Sequence, residues 1–216
     1  MSLASLALLE SSHRRHDEVL ASLLEAARRF AAGRPDAADG VAVAAAVDYF
    51  ERSVPRHFLD EEGSVFPRLS TRRPELSSEL ALLSAQHPEQ IQLQGLVAAA
   101  VRQLTASDEA GRPNVGKTLL DAATRLAAAH RAHVEAEDTL FTAAQLSLTA
   151  EDDTEIVAEM ETRRDRERAP RKTRPKPAAS KRRAPAAAKT ATKKKPVARA
   201  KKNKPAAKPK RKSHRR

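Results

Sequence analysis

Apolar residues recur every three or four positions along four long segments of the chain, the spacing that places side chains on one face of an α-helix. The segments cover about residues 3–32, 40–66, 75–106 and 114–147. They are rich in Ala and Leu and poor in β-branched residues, which favours helix over strand. Glycines and prolines mark the junctions between them, at Gly33, Pro35, Pro67, Pro74, Gly111 and Pro113. The pattern predicts an all-α fold built on four helices.

The connections between these segments are short, which is typical of an antiparallel, up-down four-helix bundle. A shorter fifth segment begins near Thr149. This residue and Asp152, three residues later, resemble a capping box. We therefore predict a bundle over residues 1–147, a helical extension over residues 148–162, and a separate C-terminal segment over residues 163–216.

Charge divides the chain at the start of that C-terminal segment. Residues 1–162 hold 15 basic and 26 acidic residues, whereas residues 163–216 hold 25 basic and 2 acidic residues. The net charge of +12 therefore combines an acidic bundle with a strongly basic tail. The chain has no cysteine, so a disulfide framework and a thiolate metal site are both excluded.

Histidine and glutamate interrupt the apolar stripes near the middle of each helix. These polar positions are His16, His57, Glu61, His87, His133 and Glu137. Two of the histidines are followed by a glutamate four residues later, a step that places both side chains on one face of a helix. The two pairs, His57 with Glu61 and His133 with Glu137, therefore each present two potential metal ligands in one direction.

Distances along the chain place the four histidines at one level of an antiparallel bundle. His16 lies 19 residues before Pro35, near the centre of the first loop, and His57 lies 22 residues after it. His87 and His133 are each 23 residues from the centre of the third loop. At about 1.5 Å rise per residue, such mismatches amount to about one helical turn or less. We therefore expect all four helices to contribute a histidine to one layer.

A single buried histidine is usually a hydrogen-bonded core residue, but four imidazoles and two carboxylates at one level need a partner that compensates them. Transition-metal ions held between helices are such a partner. Nitrogen and oxygen ligands without sulfur suit iron or manganese, with zinc as an alternative, and two carboxylates can bridge two ions. The pattern therefore predicts a dinuclear metal site.

Other polar residues beside these positions are candidates for additional roles. His13 and His130 each lie three residues before a predicted ligand on the same stripe, so each can supply a nitrogen ligand or orient a neighbouring one. Glu62 and Asp138 directly follow the two predicted ligand carboxylates. We expect both to face outward, although Asp138 competes with the glutamate before it as a ligand.

At these residues the chain resembles the hemerythrin-like, or HHE cation-binding, family of four-helix bundles with a non-haem di-iron centre. The phrase HFLDEE over residues 57–62 is similar to the family's second-helix motif, and HVEAEDTLF over residues 133–141 is similar to its fourth-helix motif. His16 and His87 match the ligands of the first and third helices. The resemblance covers residues 1 to about 147 and implies two iron ions as the cofactor, with manganese or zinc as alternatives.

One departure from the family pattern concerns the third helix. Oxygen-carrying hemerythrins have two histidines four residues apart on this helix, whereas Leu83 and Ile91 flank His87 at that spacing. The departure counts against reversible O₂ carriage. The resemblance implies instead a di-iron protein that senses, binds or reacts with O₂, peroxide or nitric oxide, or that buffers iron.

The basic tail over residues 163–216 is predicted to be disordered, because it lacks Phe, Tyr and Trp and holds one large aliphatic residue, Val197. Its Lys, Ala and Pro phrases resemble linker-histone tails. Without rings to stack on bases, it is expected to bind duplex DNA non-specifically through phosphates, with RNA or polyphosphate as alternative partners. The other interpretation is a tail that only increases solubility or folds back on the acidic bundle. The candidate contacts are Lys181, Arg182, Arg183, Lys193, Lys194, Lys195, Lys201, Lys202, Lys204, Lys208, Lys210, Arg211 and Lys212.

These features predict a cytoplasmic protein associated with the chromosome or nucleoid, and a metal- and O₂-binding protein rather than a dedicated enzyme. We expect no signal peptide and no membrane partner, since no uncharged apolar stretch approaches the ~18 residues of a spanning helix. Two alternatives remain open. One is a di-iron enzyme that degrades peroxide or acts on nitric oxide, and the other is a DNA-compacting protein whose metal only stabilises its fold.

Overall fold

The computed structural model describes residues 3–168, and every regular element in that part of the chain is helical. The helices are α1 (Ala4–Ala31), α2 (Ala37–Asp60), α3 (Phe66–Arg72), α4 (Ser77–Ala106), α5 (Arg112–Ser147) and α6 (Ala150–Arg168). A π-helical turn, Glu61–Val65, joins α2 to α3, and a 3₁₀ turn, Pro74–Leu76, leads into α4. The predicted all-α fold class is confirmed. Residues 169–216, with the predicted nucleic-acid contacts, lie outside the described residues.

The long helices form a bundle whose apolar side chains fall into two clusters. Helix α1 packs against α2 and α5, and α4 packs against α5 and α2. The larger cluster includes Leu23, Phe50, Val97 and Leu126. The smaller cluster includes Leu9, Leu69, Leu83, Ile156 and Met160. Along α1, α4 and α5 the buried histidines lie between residues of the two clusters, so a polar layer separates two apolar regions.

Local hydrogen bonds explain where several helices begin and end. After α1, Gly33 adopts a positive φ of 68°, and the amide of Arg34 donates to the carbonyl of Arg29 over 2.9 Å, the arrangement of a Schellman motif. At the start of α6, the amide of Asp152 donates to Thr149 Oγ1 over 3.1 Å, while the amide of Thr149 donates to Asp152 Oδ2 over 2.9 Å. These two bonds confirm the predicted capping box.

Helix α6 extends further than the sequence pattern indicates. It continues to Arg168, so residues 163–168, which the composition places in the basic tail, belong to a helix that packs on α1 and α2. The apolar residues Ile156 and Met160 are fully buried in the smaller cluster. C-terminal to these two residues, ion pairs such as that between Arg163 and Asp60 also hold α6 against α2. Composition alone does not reveal these ion pairs.

Among the helices within residues 3–168, none combines the length and the apolar character that crossing a membrane would require.

Gly116 permits a close approach of α5 to the end of α1. A Cβ atom added at this buried position would lie 2.5 Å from the amide nitrogen of Ala31 and 2.5 Å from the carbonyl carbon of Phe30. Both neighbours are backbone atoms, which cannot move aside without shifting a helix. We therefore predict that Gly116→Ala destabilises the protein by about 1–3 kcal/mol, measured as the free energy of unfolding in denaturant.

Gly40 provides the matched control for this substitution. It is also helical, but a Cβ atom there would meet no atom within 4 Å. Gly40→Ala should therefore leave the fold unchanged and raise the free energy of unfolding by up to about 1 kcal/mol through helix propensity. Equal effects of the two substitutions would contradict the packing explanation.

Candidate metal centre

Five buried side chains from α1, α2, α4 and α5 meet around a sixth from the π-helical turn that follows α2. All six are at most 7% exposed, although each is polar or charged. They are His13 on α1, His57 on α2, Glu61 at the start of the π-helical turn, His87 on α4, and His133 and Glu137 on α5.

The first group of potential ligands consists of His13, His57 and Glu61, whose ligand atoms lie within 4.8 Å of one another. His57 Nε2 lies 2.7 Å from Glu61 Oε1, and His13 Nε2 lies 3.9 Å from the same oxygen. The rings of His13 and His57 meet edge to face, with centroids 4.7 Å apart. Two imidazoles and one carboxylate oxygen therefore surround one position.

The second group consists of Glu61, His87 and His133, with ligand atoms within the same 4.8 Å limit. His87 Nε2 lies 3.0 Å from Glu61 Oε2, and His133 Nε2 lies 3.9 Å from that oxygen. Glu61 therefore directs one carboxylate oxygen to each group. This is the arrangement expected of a carboxylate that bridges two metal ions.

Glu137, on α5, lies beside both groups. Its Oε2 is 3.1 Å from His13 Nε2 and 3.9 Å from His133 Nε2. The second carboxylate thus also contacts one histidine of each group. Together, Glu61 and Glu137 offer four oxygens to two pairs of imidazoles.

The donor atoms of this cluster fit metal cations. Nε2 of each of the four histidines and both oxygens of Glu61 and Glu137 are buried and lack a partner with hydrogen-bond geometry, despite contacts as short as 2.7 Å. Buried polar atoms without hydrogen bonds are costly. Nitrogen and oxygen lone pairs converging without sulfur match the preferences of iron, manganese and zinc, which can satisfy all of these atoms together.

The electrostatics of the cluster depend on its two carboxylates. Burial raises the pKa of the Glu61 carboxyl, but the surrounding imidazoles, led by His57, outweigh burial and hold that pKa well below its usual range. Burial and the nearby Glu61 raise the pKa of Glu137. Burial opposes protonation of His13, but the carboxylates of Glu137 and Glu61 raise its pKa to about 9. Protons and metal cations therefore compete for the same atoms.

His16, a predicted ligand, lies in neither of these groups. Its ring packs against His130 with centroids 3.9 Å apart and also contacts Tyr49 and Phe50. Burial lowers the pKa of His16 well below its usual value and that of His130 to about 3. The two rings form a neutral, buried pair next to the cluster, and His13 takes the place nearest to the carboxylates.

The family comparison agrees with this geometry. The model of the hemerythrin HHE cation-binding domain matches residues 4–169, most of the chain. The chain belongs to this family. No curated protein sequence matches the chain significantly.

The HHE domain also contains residues that orient the candidate ligands, which the sequence pattern did not single out for this role. Glu62 is exposed, as expected, and its Oε1 also lies 2.6 Å from Nδ1 of His87. Phe58 stacks on the same ring at 3.9 Å between centroids. Gln86 Oε1 lies 3.0 Å from Nδ1 of His133. These contacts leave Nε2 of both histidines directed at Glu61. Asp138 is exposed and joins neither group.

Helix α6 braces the turn that carries Glu61. Asp60, fully buried beside Glu61, accepts a 2.9 Å hydrogen bond from Arg163 Nη1, and Arg164 Nη2 lies 3.4 Å from its other oxygen. Arg163 also donates to Ser64 Oγ within the same turn over 2.7 Å. Burial raises the pKa of Asp60, while the two arginines oppose that shift. The π-helical turn is therefore held from outside the bundle.

The positions of His13 and His16 lead to opposite predictions for two similar substitutions. His13→Ala removes a nitrogen adjacent to both carboxylates, so we predict a loss of about one metal ion per chain or at least a tenfold weaker affinity. His16→Ala should retain full metal content, because its ring lies in neither ligand group. Metal analysis of both purified variants tests the assignment, and the reverse result would make His16 the ligand from α1.

Proposed function

We propose that this HHE protein holds two iron ions in its bundle and uses them to sense, bind or react with O₂, peroxide or nitric oxide, or to buffer iron. The observation that carries the proposal is the position of Glu61, shared between two buried groups of nitrogen and oxygen ligands. A single-ion site would not need a carboxylate with imidazoles at each of its oxygens.

The proposed ligands divide evenly between the two ions. His13 and His57 would hold one ion, His87 and His133 would hold the other, and Glu61 would bridge them. Glu137, in contact with a histidine of each group, would supply the second bridge. This set replaces His16 with His13 and keeps the other five sequence-based candidates, within the antiparallel four-helix arrangement that the short loops favour.

Iron bound in this position would supply redox chemistry and a coordination position for a small ligand. The protein itself contributes the charge balance and the apolar surroundings. Two carboxylates reduce the net charge of two divalent cations, while Phe58 and Phe141 pack against His87 and His13 respectively. Manganese and zinc remain alternatives because the same donor atoms suit them.

Glu61→Ala provides a direct test of the bridging role. Because one side chain serves both groups, we predict that this single substitution lowers the content of both ions, whereas the loss of a ligand to one ion alone would leave about one per chain. The measurement is iron per chain, with visible absorption before and after exposure to O₂ or peroxide. Glu135→Ala, at an exposed position on the same α5 helix as Glu137, is the control and should keep both ions. Retention of both ions by Glu61→Ala would contradict the proposal.

We further propose that the tail binds this iron protein to the chromosome. Residues 169–216, which follow α6, carry 21 basic residues and no acidic residue, a charge density that attracts polyanions. The absence of Phe, Tyr and Trp from this segment favours contacts with phosphates over stacking on bases. An iron centre bound to DNA in this way would handle iron or oxygen species close to the nucleoid.

Truncation after Arg168 tests the tail while keeping α6 complete. We predict that the truncated protein retains its metal and loses its affinity for DNA. If six to ten phosphates are neutralised, the full chain should show a slope of log K against log salt of about −5 to −9, with little sequence preference. Affinities for two unrelated duplexes at several salt concentrations provide the measurement. A flat salt response, or undiminished binding by the truncated chain, would refute this role.

A further inference from the structure

A basic cleft lies between α1, α2 and α6, on the outside of the bundle. Its volume is about 520 Å³, and its lining includes three serines and the side chain of Tyr49. Four arginines and one acidic residue complete the polar part of the lining: Arg15, Arg52, Arg56, Arg164 and Asp48. The metal ligands do not line it. The cleft is thus a separate feature, rich in hydrogen-bond donors.

Two of these arginines have donors that the protein does not satisfy. Arg56 is paired with Glu167, and Arg164 with Asp60, so each guanidinium already has one carboxylate partner. Nevertheless, Nε of Arg56 and Nη1 of Arg164 are buried and have no hydrogen-bond acceptor among the described residues. Unsatisfied donors on a partly buried guanidinium are unfavourable, and an oxyanion beside these side chains in the cleft would offset that cost.

The two guanidinium groups also repel each other. Burial lowers the pKa of Arg164, and the positive charges of Arg56 and Arg168 lower it further, against the opposing effect of Asp60. Like charges are held together here by the packing of α6 on α2. A ligand with two or more negative oxygens would relieve this repulsion, because it can contact both cations at once.

We propose that this cleft binds a phosphate group through Arg56 and Arg164, with Arg52 and the cleft hydroxyls as further donors. Phosphate fits better than a single carboxylate because its oxygens can accept hydrogen bonds from several directions, as the distribution of donors around the cleft requires. The phosphate can belong to a free anion or to the backbone of a nucleic acid that the tail would hold.

Tyr49 provides a local signal for this binding. It is the only tyrosine of the chain, which has no tryptophan, and it lines the cleft. Burial raises the pKa of Tyr49 to about 12, so the phenol stays protonated throughout a titration near neutral pH. Because the chain holds no other tyrosine and no tryptophan, a change in this fluorescence reports on the surroundings of Tyr49. Titration of the full chain with inorganic phosphate should therefore change the Tyr49 fluorescence saturably.

Two substitutions with opposite expected effects on phosphate affinity test the proposed donors. Arg56→Gln removes a guanidinium and should weaken phosphate binding at least about tenfold. Glu167→Gln removes the carboxylate that competes for Arg56 and should strengthen it several-fold. Arg125→Gln is the control, since Arg125 is exposed on α5, does not line the cleft and pairs with the exposed Asp121. Circular dichroism checks that each variant is folded, and Arg52→Gln, at an exposed position of the lining, replaces Arg56→Gln if that variant does not fold.

The outcome decides both the site and the source of the phosphate. The site is supported by a saturable signal with free phosphate whose affinity is weakened by Arg56→Gln and strengthened by Glu167→Gln. If a short DNA duplex then leaves the Tyr49 signal unchanged, the ligand is a free anion. A duplex that changes the Tyr49 signal in an Arg56-dependent way supports the same site with nucleic acid as its source. No signal with either ligand, or equal affinity in all variants, would overturn the proposal.

Discussion

The burial of two carboxylates among imidazoles is the constraint on which the rest of this structure depends. Glu61 and Glu137 are at most 1% exposed, and charged groups are rarely found so deep unless they are paired. Removing ionised carboxylates from water is costly, so the fold must bring compensating groups to the same place. The helices do so by contributing four histidines at one level, between two apolar clusters that exclude water from the layer.

Much of this arrangement could be predicted from the sequence because it follows from helical periodicity. The four-residue steps from His57 to Glu61 and from His133 to Glu137 require only that both segments are helical. Which of His13 and His16 lies beside the carboxylates could not be predicted in this way, since residues three apart share one stripe. It depends on how α1 is rotated in the bundle, and here Tyr49 and Phe50 pack against the ring of His16.

Other features depend on contacts between residues that are distant in sequence. No local pattern predicts the π-helical turn that begins at Glu61. This turn has no proline and a single glycine, Gly63. That glycine permits a close contact, because a Cβ atom there would lie 3.0 Å from Nη2 of Arg163. The pairing of Arg163 with Asp60 spans 103 residues, and it accounts for basic residues that remain helical at the edge of the tail.

Helix α6 therefore does more than connect the bundle to the tail. Arg164 contacts Asp60, the residue before Glu61, and also lines the basic cleft, so one side chain is common to the surroundings of Glu61 and to the cleft. A ligand that attracts Arg164 toward the cleft would weaken its contact with Asp60, while Arg163 would retain the stronger, hydrogen-bonded contact. With phosphate in the proposed site, Arg163 would therefore still hold the residue that precedes Glu61.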